Sequence, residues 1–124
     1  SDAKRRALMK LKDGASLAGL TERMETAMAL VDQCYAIFNA DCWVTSGTER
    51  ETLHLGKPIA GDTDDPHYVG KALDFRIWHL PEASRVLIVD MIRQKLGPDF
   101  VVLWESRGQA NEHLHVQAGH IAVA

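Results

Sequence analysis

The sequence predicts an α+β domain in which helices flank a few mostly antiparallel strands. Three observations lead there. Two long stretches carry apolar residues at three- and four-residue spacing, several short runs are rich in β-branched and aromatic residues, and glycine or proline separates them. The 124 residues suit one domain with one hydrophobic core. Its 46% hydrophobic and 25% charged residues are those of an ordinary globular chain. A single domain is expected over residues 1–124, with an N-terminal helix and connector in 1–20 and the core in 21–118.

The elements follow in order. Residues 2–13 have a helical charge pattern with Leu8 and Leu11 on one side, and Gly14 is a natural stop. Thr21 is a candidate N-cap for a longer helix, in which Met24, Ala27, Met28, Val31, Cys34, Tyr35 and Phe38 form one apolar stripe. Cys42–Ser46, closed by Gly47, reads as a buried strand. Residues 47–66 are rich in Gly, Thr, Asp and Pro, the composition of a long loop. In Lys71–Ile77, Ala72, Asp74 and Arg76 alternate with Leu73, Phe75 and Ile77, so Asp74 faces away from the apolar set. Pro81 opens a further helix, with Val86, Leu87, Val89, Ile92 and Leu96 as the expected packing side and Gly97-Pro98 as its stop. Phe100–Trp104 and Leu114–Val116 complete the strands.

Charge and composition exclude several classes. A net charge of −3 and a pI near 6.0 leave no basic footprint for nucleic acid. No apolar run approaches the ~20 residues that a membrane-spanning helix needs. The basic start Ser1–Arg6 is not followed by an apolar segment, so no secretory signal is visible. Cys34 and Cys42 lack the spacing of a thiolate metal site, and Cys34 falls on the apolar side of its helix as a small core residue. A monomer is expected.

Two segments have the residue types of a metal centre. His67 and Asp74 lie seven apart across a turn, where Gly70 lets the backbone bend and small Ala72 leaves room on the face of Asp74. His113 and His115 are two apart on a strand and point to one face. A mononuclear catalytic site needs three protein ligands, an open position and a nearby acid or base. Only one of the two histidines need be a ligand; the other can stabilise a developing oxyanion. Glu112 stands at the turn into that strand, within short reach of His115, and is favoured as general base; Glu105, after the aromatic strand, is its rival or a group that orients a ligand histidine. His54 and the acidic residues Asp62, Asp64 and Asp65 read as solvated loop groups, since they lack the pattern of an EF-hand.

His67-Tyr-Val-Gly-Lys-Ala-Leu-Asp74 and Glu112-His-Leu-His-Val116, with Val44-Thr-Ser-Gly47 upstream, resemble the zinc D-alanyl-D-alanine carboxypeptidase family. That group includes the vancomycin-resistance D,D-dipeptidases, phage L-alanyl-D-glutamate endolysins and the signalling domain of hedgehog proteins. The resemblance runs from about Met24 to Val116 and is specific at the two metal motifs. It implies a small fold around an antiparallel sheet, one zinc ion held by His67, Asp74 and His115, Glu112 as general base, and His113 beside the reacting water. A glutamate placed like Glu105 occurs in hedgehog-like members.

Two positions depart from the family pattern. The arginine common two residues after the Ser-Gly pair, which binds a substrate carboxylate or carbonyl, is Glu49 here, with Arg50 adjacent. The serine common two before the first ligand is Asp65. Both changes put negative charge where an exopeptidase captures a terminal carboxylate, a task suited to bidentate arginine. They favour an endopeptidase acting within peptidoglycan stem peptides, with Ser46, Arg50, Asp65 and Arg76 as candidate substrate contacts. Such a substrate places the protein in the periplasm or outside the cell, or in the cytoplasm before release if it is phage-encoded. The alternative is a zinc-stabilised binding module of hedgehog-like type that has lost catalysis.

Overall fold

The computed structural model describes residues 9–49 and 65–119. Two helices pack on a five-stranded, mostly antiparallel sheet, so the fold is α+β. In chain order the elements are β1 (Met9–Leu11), α1 (Glu22–Ile37), β2 (Cys42–Ser46), β3 (Ala72–Arg76), α2 (Glu82–Leu96), β4 (Phe100–Glu105) and β5 (His113–Ala118). The strand order is β1-β2-β3-β5-β4, with β1 parallel to β2 and the other pairs antiparallel.

Helix α1 begins where the sequence places it. The Thr21 hydroxyl accepts the Met24 amide, and Glu22 and Glu25 lie in the first turn, where acidic groups suit the helix dipole. Its whole predicted stripe packs into or against the core. Tyr35 is fully buried, and its phenol donates to the Arg76 carbonyl at 2.7 Å, tying α1 to the end of β3. Helix α2 buries Ile88, Val89, Ile92 and Leu96. Here the predicted face is corrected: Val86 and Leu87 are 43% and 59% exposed, and Ile88 takes their place. Four successive apolar residues, Val86 to Val89, contain more than one possible stripe, and the one sharing a face with Ile92 docks on the sheet.

The helical reading of residues 2–13 also fails where the structure describes it. Met9, Lys10 and Leu11 pair with Cys42, Trp43 and Val44 as a short edge strand, and residues 1–8 lie outside the described part. The segment has no broad apolar face to bury as a helix. Pairing instead satisfies its backbone, and Lys10 lies 3.1 Å from Asp41 and over the Trp43 ring.

The core lies between the helices and one face of the sheet. Val44, Leu73, Phe75, Val102, Leu114 and Val116 supply it from the strands, and burying each large side chain contributes about 1.5–3 kcal/mol before entropic costs. Cys34 and Cys42 are buried free thiols in this core. Alternation sends Asp74, Arg76, His113 and His115 to the opposite face. Between Val44 and Ser46 the register against β3 shifts, the signature of a bulge at the end of β2.

Candidate metal centre

His67 is carried by a tight turn that Asp65 caps. The Asp65 carboxylate accepts the His67 amide at 2.8 Å, and its carbonyl accepts the amides of Tyr68 and Val69. Gly70 closes this turn at φ +79°, and a β-carbon there would overlap the Gly19 carbonyl. Only glycine suits that combination of positive φ and close approach. The turn delivers His67 to the start of β3, where Asp74 projects from the sheet beside His115 of β5; Asp74 and His115 are register partners.

One donor atom from each of His67, Asp74 and His115 lies within 4.8 Å of the others, so this group can hold a metal ion. His67 Nε2 is 3.3 Å and His115 Nδ1 2.9 Å from the same Asp74 Oδ1. The remaining ring nitrogens are also engaged. His67 Nδ1 donates to the Gly47 carbonyl at 3.1 Å, and His115 Nε2 faces Gln117 Oε1 at 2.9 Å. These outer partners fix ring orientation and leave one nitrogen of each imidazole facing Asp74, which is the donor arrangement a metal requires. The Gln117 amide can donate or accept, so it serves either tautomer of His115.

Without an ion the three groups bind one another. Burial works against the charge on Asp74, but hydrogen bonds from His115 and His67, and their positive charge, lower its pKa to about 2. Burial likewise opposes protonation of His67 and His115, yet the Asp74 carboxylate raises both above the ordinary histidine value. A metal ion therefore competes with protons held by these imidazoles, and its binding strengthens as pH rises.

The flanking residues divide clearly. His113 lies on the same face as His115, with Nδ1 donating to the Asn111 carbonyl at 2.8 Å and Nε2 3.1 Å from Glu105 Oε1. Its Nε2 is also 3.8 Å from Asp74 Oδ2. Glu105, 45% exposed at its side chain, is the cross-strand partner of His113 and thus shares the site face.

Glu112, the favoured base, lines one cavity with Asp74 and His113 and is held there by partners of its own. It stands in the turn just before β5, where its amide donates to the Gln109 carbonyl. Its carboxylate accepts Trp104 Nε1 at 2.7 Å and Arg85 at 3.1 Å, and the residue is only 4% exposed. Arg85 also reaches the carbonyls of Leu80 and Trp78, so Glu112 ties α2 to the turn before β5.

The candidate substrate contacts have defined surroundings. Ser46 donates its hydroxyl to Glu49 Oε2 at 2.7 Å, while Glu49 Oε1 accepts the amides of Ser16 and Gly47. Burial disfavours charge on Glu49, but these hydrogen bonds outweigh it and lower its pKa. Glu49 also fixes the Gly47 segment whose carbonyl orients His67. Arg76 is stacked between Trp43 and Trp78. Arg50, His54, Asp62 and Asp64 lie outside the described residues. Gln117 escaped the sequence reading, although its position two residues after His115 put it on the ligand face.

No protein-family model, curated protein or solved structure matches the chain. Among the described residues, no helix is long and apolar enough to cross a membrane.

Proposed function

We propose that the protein is a zinc-dependent peptidase of the D-alanyl-D-alanine carboxypeptidase-like kind, hydrolysing an amide bond within bacterial peptidoglycan stem peptides. The observation that carries this reading is the His67–Asp74–His115 triad with both imidazoles fixed from behind, set beside an exposed histidine–glutamate couple. Two imidazoles and a carboxylate are a donor set that suits zinc. Zinc, when bound, supplies Lewis-acid polarisation of the scissile carbonyl and lowers the pKa of water towards ~7.

The chain's own residues do the rest. Glu105 accepts a proton from the attacking water and returns it to the leaving amine, since its carboxylate is exposed on the site face. His113 is anchored through Nδ1 on the Asn111 carbonyl, and its Nε2, beside Glu105 and Asp74, is the nitrogen that would turn from Glu105 to donate to the developing oxyanion. Asp65 and Glu49 hold the turn and strand end that orient His67. Their negative charge beside the groove favours endopeptidase over strict carboxypeptidase action. That substrate places the working protein in the cell wall compartment.

A second reading draws on the burial of Glu112. If that carboxylate is structural, its presence no longer argues for catalysis, and a zinc-stabilised binding module remains the alternative. Digestion of purified peptidoglycan with and without a chelator separates the two. Chelator-sensitive cleavage selects the peptidase; tight zinc without cleavage of any wall substrate selects the binder.

A further inference from the structure

The open face beside the triad changes charge along its length. On the His67 side it is lined by Asp13, Glu49 and Asp65. On the other side a second cavity of about 390 Å³ is lined by Arg76, Trp78, Asn111 and His113, with Lys12, Thr45 and Asp74 common to both. Glu112 also borders this second cavity, but Arg85 neutralises it from the helix side.

Among the described residues Arg23 and Arg107 each lie over a single aromatic ring, whereas Arg76 lies over two. Its guanidinium carbon lies 4.4 Å from the centre of the Trp43 ring and 4.8 Å from that of Trp78. Arg85 and Arg93, by contrast, end on carbonyl oxygens or on Glu112. Arg76 makes no ion pair among the described residues, and its buried Nε has no hydrogen-bond partner there. Indole faces satisfy the two flat sides of a guanidinium and leave its in-plane N–H donors for an acceptor in the same plane. A carboxylate is the group that matches such a fork.

Position sets the distance from the chemistry. Arg76 is two residues beyond Asp74 on the same face of β3, roughly 7 Å along the strand. That is the span from a scissile carbonyl to a carboxylate one or two residues away along an extended peptide.

We propose that Arg76, clamped between Trp43 and Trp78, binds a substrate carboxylate, so that the site selects peptides with a free carboxylate within one or two residues of the scissile bond. The acidic far side of the groove repels such a group and so sets the direction in which a peptide lies. This proposal rests on the peptidase reading, and the test separates the two.

The test uses zinc-loaded full-length Glu105→Gln protein, in which hydrolysis does not consume the ligand, and isothermal titration with L-Ala-γ-D-Glu-L-Lys-D-Ala. Three further forms of the peptide carry an amide at the D-Glu α-carboxyl, at the C-terminus, or at both. The doubly amidated peptide is expected to bind roughly 10- to 100-fold more weakly than the free acid, the range of a charge-assisted pair. The singly amidated forms identify which carboxylate is read. Adding Arg76→Gln should abolish the preference with little change in binding of the doubly amidated peptide or of zinc. Trp78→Ala, which removes one half-exposed face of the clamp, should reduce the preference partially and covers the case in which Arg76→Gln misfolds. Equal binding of acid and amide forms, binding of neither, or a preference that survives Arg76→Gln overturns the proposal. Carboxylate preference without cleavage by the wild type leaves Arg76 assigned and removes the peptidase reading; cleavage without preference does the reverse.

Discussion

Replacing Glu112 distinguishes a structural carboxylate from a catalytic one. Glu112 and Arg85 face each other at 3.1 Å, with side chains 3% and 20% exposed. Removing one partner of a buried pair costs about 3–5 kcal/mol. The penalty is smaller here because Arg85 keeps the Leu80 and Trp78 carbonyls as acceptors, leaving about 2 kcal/mol. Trp104 Nε1 also loses its acceptor, a further cost of about 1 kcal/mol. Glu112→Ala is therefore expected to lose about 3 kcal/mol, or roughly 12 °C in Tm for a chain of this size. Glu112→Gln retains an acceptor for Trp104 and should lose only about 1–2 kcal/mol. Urea titration with zinc in excess reads these differences, and a double-mutant cycle with Arg85→Ala should return a coupling of about 1–3 kcal/mol. Wild-type stability in Glu112→Ala, together with a loss of hydrolysis, would refute the structural role and restore Glu112 as the base.

Three further outcomes are expected. Glu105→Gln should reduce hydrolysis about 100-fold or more while zinc affinity and Tm stay near wild type; full activity in this variant removes Glu105 from the chemistry. Zinc at 100 times its Kd should raise stability by about 2.7 kcal/mol, and His67→Ala should abolish that gain; calorimetry showing equal zinc stabilisation of both proteins contradicts the ligand assignment. Glu49→Gln should lose about 1 kcal/mol at neutral pH, as for a lost cap. Because the folded pKa of Glu49 lies below its unfolded value, this contribution is present above the unfolded value and disappears as pH falls through the folded one. Denaturation midpoints that differ equally at neutral and strongly acidic pH contradict that sign.

Much of the fold was legible because local rules and tertiary packing agree in α1, β3 and the start of α2. Thr21 caps where its hydroxyl is needed, and the alternation of Leu73, Asp74 and Phe75 separates core from site. The same period placed His113 and His115 together. The near-complete burial of Glu112 was not legible, since short sequence distance to His115 says nothing of what else surrounds the carboxylate. Its partners were not readable, because Arg85 meets Glu112 only once α2 packs on the sheet and Trp104 only through the β4–β5 register. The β1 strand was hidden for a related reason: three residues on an edge are defined by the neighbour they pair with, not by their own pattern. The aromatic clamp on Arg76 likewise depends on β2 lying beside β3.

The most direct measurement is mass spectrometry of muropeptides after incubating peptidoglycan with the zinc-loaded protein, with and without a chelator. New amine and carboxyl termini at one stem-peptide bond, absent with the chelator and restored by added zinc, are the expected result. An unchanged muropeptide profile with zinc stoichiometrically bound contradicts the peptidase reading.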